Sequence, residues 1–133
     1  MAEAGYSGTP QAKKLGLKPG HRLAVVGAPR AWRVSDPPDG LVKVTGDGPA
    51  DVILCFCRRA SEVVERIPRL APRIHPEGAI WLAWPRRAGG HDSDITDEVV
   101  RRQALPLGLV DVKVAAIDQD WSGLRLVWRK ERR

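Results

Sequence analysis

Gly78-Ala79-Ile80-Trp81-Leu82-Ala83-Trp84-Pro85-Arg86-Arg87 contains an unbroken apolar run from Ala79 to Trp84. The run is too short for a core helix and too continuous for a strand with one wet face. It reads as a strand buried on both sides, as in a parallel sheet covered by helices. Pro85 has no N–H for a ladder, so the strand ends there. Arg86 and Arg87 then sit at the strand's carboxyl end, the edge where open α/β sheets bind ligands.

Two further runs share this character: residues 23–26, closed by Gly27-Ala28-Pro29, and residues 52–57. Residues 41–45 predict a short edge strand between turns rich in glycine, proline and aspartate. Residues 110–117 alternate, with Val110, Val112, Val114 and Ala116 on one face. Leu124, Leu126 and Trp128 alternate after a loop of hairpin length, so these last two strands pair antiparallel. Helices are predicted over residues 11–15 behind Thr9-Pro10, from Ser61 to Ile74, and from Thr96 to about Leu105. Pro68 and Pro72 predict that the second is short, kinked or broken near its middle.

The result is one α/β domain over residues 1–133, with a helical lead-in at 1–20 and a frayed tail at 129–133. It is a truncated Rossmann-like, mostly parallel sheet with helices on both faces and a C-terminal antiparallel hairpin. The expected strand order is Leu23, Val52, Ala79, Leu124, Val110, with the Leu124 strand antiparallel.

The chain has 133 residues and a net charge of +6, which suits an anionic partner without requiring one. Its two cysteines, Cys55 and Cys57, cannot form a disulfide framework and read as small core residues. No apolar run approaches a membrane span, and residues 1–10 lack a signal-peptide apolar core, so a cytoplasmic location is expected. His91 with Asp92 and Asp94 reads as a solvated loop cluster. No metal site is expected.

Two resemblances follow from the residues. Leu17-Lys18-Pro19-Gly20, Ala50-Asp51-Val52-Ile53-Leu54, Pro76-Glu77-Gly78 and the final hairpin resemble the second half of Rossmann-like S-adenosylmethionine-dependent methyltransferases. That resemblance implies a last strand inserted antiparallel between its two predecessors. The chain departs from the family in having a single glycine in the turn Gly27-Ala28-Pro29-Arg30. The 23 residues 29–51 also cannot hold the helix–strand–helix–strand segment that would carry a ribose-holding acid. No cofactor is therefore expected. The blocks Tyr6-Ser7-Gly8-Thr9-Pro10 with Ala12-Lys13-Lys14-Leu15-Gly16, Trp81-Leu82-Ala83-Trp84-Pro85, Leu105 to Lys113 and Trp121-Ser122-Gly123-Leu124-Arg125 resemble the bacterial domain-of-unknown-function family 3052, which implies no established activity.

If the buried strands are parallel, their carboxyl ends bring Arg30, Arg58, Arg59, Arg86 and Arg87 to one edge, with Trp84 and Trp121 beside them. Guanidinium forks and helix N-termini suit phosphate or carboxylate. The expectation is a non-enzymatic binding or regulatory module whose arginine-lined edge takes an anionic small molecule or nucleotide. A degenerate S-adenosylmethionine-dependent methyltransferase-like protein, needing a dimer or partner to complete its pocket, is the first alternative. A nucleic-acid binder is the second. An exposed terminal strand offers a route to a homodimer. The residues leave open whether the protein is an enzyme.

Overall fold

The computed structural model describes residues 10–133, apart from the side chain of His75; Thr9, expected to cap the first helix, lies outside them. Six strands form one sheet: β1 (Arg22–Val26), β2 (Val42–Val44), β3 (Ala50–Phe56), β4 (Ile74–Pro85), β5 (Leu109–Ala116) and β6 (Trp121–Trp128). Their order is β2-β1-β3-β4-β6-β5. The first four are parallel, and β6 runs antiparallel to both β4 and β5. The five expected strands stand in the expected order. The short edge strand adds itself outside β1.

Trp81 ties the sheet together. It is fully buried on β4, and its indole N–H donates to the carbonyl of Leu15 at 3.0 Å. That bond satisfies a buried donor and fastens α1 (Gln11–Lys14) to one sheet face. On that face lie Leu15, Leu17, Leu54, Phe56, Trp81, Ile117 and Trp121, with Trp32, Val34 and Leu41 packed against them. The opposite face carries α2 (Ala60–Leu70) and α3 (Asp97–Ala104). There Val63, Ile67, Val100 and Ala104 pack on Ile53, Cys55, Ile80, Leu82 and Leu124. Both cysteines are free and buried.

Two local expectations are corrected. First, α2 starts at Ala60 and runs unbroken to Leu70, through Pro68. Proline frees the carbonyl of the residue four earlier. That residue is Val64, on the solvent side at 49% exposure, where water can take the bond. Second, β4 begins at Ile74, so Pro76-Glu77-Gly78 and the His75 backbone belong to a strand. A register shift opposite Ala50 and Val52 absorbs the irregularity. On β5, Val112 and Val114 of the alternating face are 49% and 59% exposed, whereas Leu109 and Ile117 are buried. A shift between Asp111 and Lys113 displaces Val112, and β5 is an edge strand whose outer part no helix covers.

The connection from β1 to β2, residues 27–41, contains no helix. It arches over β1 and leaves a hollow of about 560 Å³ lined by Leu23, Val25, Trp32, Val34, Leu41 and their neighbours. No helix among the described residues is long and apolar enough to cross a membrane.

Candidate functional site at the carboxyl edge of the sheet

The parallel strands end together at one edge, and the turns after β1, β3 and β4 and the β5–β6 loop meet there. Phe56, the last residue of β3, is the hub. Its ring meets Trp32 at 4.9 Å and Trp121 at 4.8 Å, both edge to face. Trp32 comes from the helix-free connection and donates its indole N–H to Asp118 at 3.1 Å. The same carboxylate takes the backbone N–H groups of Asp120 (2.8 Å) and Trp121 (3.0 Å), which shapes the β5–β6 loop. Arg58 lies over Trp121, 5.2 Å from the ring centre, and donates to the Gly27 carbonyl at 3.1 Å.

The expected site residues divide between the two faces. Arg58 and Trp121 meet on the α1 face. Trp84 belongs to the helix-covered face and, with Arg87, lines a separate hollow of about 270 Å³ beside His91, Thr96 and Asp97. Arg86 packs onto the β5–β6 loop through its amide, bonded to Asp120 O at 2.7 Å, and its guanidinium, 3.5 Å from Gln119 O. Arg59 precedes the first turn of α2, and Arg30 is exposed in the loop after β1. His91 bonds Asp120 at 2.9 Å. Among the described residues, no group of three or more histidines, cysteines or acids is placed to hold a metal.

Side chains of the protein itself cap the helix N-termini at this edge. Asp94 accepts the Ala60 N–H at 2.8 Å, and Glu62 accepts those of Arg58 (2.6 Å) and Arg59 (3.1 Å). Hydrogen bonding from Arg58 N–H, against a burial penalty and with help from Arg59 and Arg66, holds the Glu62 carboxyl below its ordinary range. Thr96 caps α3 through Val99 N–H. Arg66 donates to the Phe56 carbonyl at 2.7 Å, pairs with Glu62 at 3.0 Å and lies 3.8 Å from the Cys57 sulfur. Cys57 and Cys55 are 3.7 Å apart. The contact with Cys55 first, then Arg66, lowers the Cys57 thiol, while the same contact and burial push Cys55 up.

Sequence reasoning missed Trp32, Phe56, Arg66 and the capping role of Asp94. Trp32 lies in a stretch without period. Arg66 shares α2 with many charges. Asp94 acts across 34 residues. A tryptophan stranded in a proline-rich loop was the one available signal.

The structure matches solved structures of methyltransferases. Ribosomal protein L11 methylase from Lactobacillus delbrueckii subsp. bulgaricus superimposes with a TM-score of 0.57 at 12% identity, over 90% of this chain and 75% of that one. TrmN from Thermus thermophilus gives 0.56 at 13%, over 90% of this chain but 47% of its own, so this chain spans about half its length. Magnesium protoporphyrin IX methyltransferase from Synechocystis, solved with bound SAM, gives 0.55 at 10%, over 84% and 71%. No family model and no curated protein matches the chain.

The fold is thus a methyltransferase-like Rossmann fold, and β6 reversed between β4 and β5 is the insertion that the resemblance implied. The expectation of a non-enzymatic binding module is overturned by these matches, which favour the methyltransferase-like alternative.

That fold implies S-adenosylmethionine, but the residues present do not fit it. Gly27 (φ +69°) is the lone glycine of its turn. A Cβ there would come 2.6 Å from the Phe56 carbonyl and 2.8 Å from Arg66, so the chain itself fills the space. β2 ends with Val44 beside Ala24, while β1 runs on to Val26. The chain then turns back: Arg73, just before β4 at the amino edge, donates to the carbonyls of Gly48 (3.0 Å) and Gly46 (2.9 Å). Asp47, the acid after β2, is therefore drawn away from the carboxyl edge.

Proposed function

We propose that this chain is a degenerate S-adenosylmethionine-dependent methyltransferase-like protein, whose adenosyl pocket is complete only when a second chain contributes to it. One observation carries the reading: a sheet with β6 reversed between β4 and β5, matched along most of the chain by methyltransferases. The self-filled turn at Gly27 supports the degenerate part. The sequence blocks resembling family 3052 belong to the same reading, as does a cytoplasmic location. Of the residues at this edge, Arg58 and Trp121, with Arg30, Arg59 and Arg86 in the neighbouring loops, are proposed to face the ligand, whereas Trp84 and Arg87 line the separate hollow on the other face. Arg58 over Trp121 is the element best placed for an anionic, base-bearing molecule. The exposed edge of β5 is the proposed route to a second copy.

The test is a thermal-shift titration of the purified chain with S-adenosylmethionine, S-adenosylhomocysteine and nucleotides, beside sedimentation of the same sample. A monomer should give no shift with either adenosyl compound. An assembled form should give one, weakened by Arg58→Ala. A saturable shift of several degrees in the monomer would show a complete pocket and remove the degenerate reading.

A further inference from the structure

At the amino end of β4, far along the strands from the carboxyl edge, Arg125, Arg133, Glu77, Gly78, Val112 and Val127 line a hollow of about 230 Å³. Arg125 stands on β6 with its Nε buried and no acceptor within reach. Among the described residues it joins no ion pair. Its register partner across the hairpin is Lys113, and like charges directly opposite on paired strands repel. Arg133 reaches the same hollow and is held by its Nε–H bond to the Trp128 carbonyl at 2.7 Å. Burial, followed by the charge of Arg133, lowers the proton affinity of Arg125. A half-buried guanidinium with an orphan donor and cationic neighbours is a costly arrangement in a folded chain.

We propose that this corner is an anion site, in which Arg125 and Arg133 together bind one phosphate group. Planar guanidinium forks match tetrahedral oxyanions through paired N–H donors. The space is smaller than the roughly 300–1,000 Å³ of pockets that enclose whole small molecules. It therefore takes a bare ion or the phosphate end of a monoester whose remainder lies in solvent. The register shift between Asp111 and Lys113 lies beside the hollow, which Val112 lines. Glu77 lines the same hollow and opposes the anion, so it sets the affinity rather than providing it.

Calorimetric titration at low ionic strength with inorganic phosphate, and separately with phenyl phosphate, tests this. Saturable binding of one phosphate per chain is expected. Arg133→Ala, in the exposed C-terminal turn, should weaken it roughly tenfold by removing one charge-assisted contact, without loss of fold. Arg125→Met should abolish it, Glu77→Gln should tighten it, and Arg69→Ala on the exposed side of α2 should leave it unchanged. Equal binding of phenyl phosphate assigns the site to a phosphate monoester, and binding of phosphate alone assigns it to the free ion. No saturable binding up to about 10 mM, a dissociation constant worth under about 3 kcal/mol, would overturn the proposal. So would affinity that Arg133→Ala leaves unchanged, or that Glu77→Gln weakens.

Discussion

The carboxylate of Asp94 accepts the backbone N–H of Ala60 at 2.8 Å, closing the first turn of α2 from 34 residues away. A free helix N-terminus leaves donors that water or an anion must take. Here Asp94 takes one of them, from Ala60, while Glu62 accepts the N–H groups of Arg58 and Arg59 just before the helix. Asp94→Ala should therefore cost about 1 kcal/mol, the usual worth of an N-terminal cap, and Asp94→Asn less. In a domain this size that lowers the melting temperature by roughly 3–5 °C. An unchanged melting temperature for Asp94→Ala would show that the bond is not made in solution.

Acid should unfold the protein through a small set of carboxylates. Glu62 is held below its ordinary range by the Arg58 N–H first. Asp51 is also lowered: burial works against its charge, and the N–H and guanidinium of Arg22 outweigh that. Because the folded values are depressed, this stability is fully present above the unfolded values near pH 4 and is lost as pH falls through the folded ones. Melting curves from neutral pH down to pH 3 should show a falling acid limb. Glu62→Gln should make that limb shallower while lowering stability at neutral pH. A limb as steep as the parent's would assign the effect elsewhere.

Gly27 and Gly123 are fixed by close approach. At Gly27 the backbone φ is +69°, and a Cβ would meet a carbonyl oxygen at 2.6 Å; at Gly123 it would meet Ile117 at 2.5 Å and Trp81 at 3.0 Å. Either alanine variant should lose about 1–3 kcal/mol, from backbone strain at the first and overpacking at both. Gly20→Ala is the comparison: φ is +77°, with nothing within 4 Å of the new carbon, so only the strain remains. Denaturant midpoints should place Gly20→Ala nearest the parent.

Trp32 and Asp118 form one unit across 86 residues. Trp32→Phe and Asp118→Ala should each destabilise by about 1 kcal/mol or more, and the double variant by less than the sum. Strict additivity in the cycle would mean that the indole bond contributes nothing.

Cys55 and Cys57 are fully buried, although Cys57 has a lowered thiol and Arg66 beside it. Reactivity needs access as well as a thiolate. A thiol reagent should therefore label neither cysteine in the folded protein and both in denaturant. Fast labelling without denaturant would reveal opening at the β3–α2 junction.

The order of the central strands was legible because a strand buried on both faces must be apolar throughout. The runs at residues 23–26, 52–57 and 79–84 say so without any partner in view. The hairpin was legible from alternation and loop length. The buried face of β5 was not, because the alternation of Val110, Val112 and Val114 does not say which face a helix will cover, and a register shift then displaces Val112. The helix is short, ending at Leu70 as one of the outcomes expected from Pro68 and Pro72 had it, but it is not broken at Pro68. Whether the freed carbonyl faces water depends on how α2 lies on the sheet.

The sequence by itself therefore determined the α/β class and the order of the five expected strands, since these follow from local runs and chain direction. Only the tertiary structure decided that Trp84 and Trp121 face opposite sides, that Arg58 lies over Trp121 and that Asp94 caps α2. It alone left Arg125 on β6 with a buried, unmatched donor. Those contacts join residues far apart in the chain, and they depend on side-chain direction and on what covers each face, which no local pattern records.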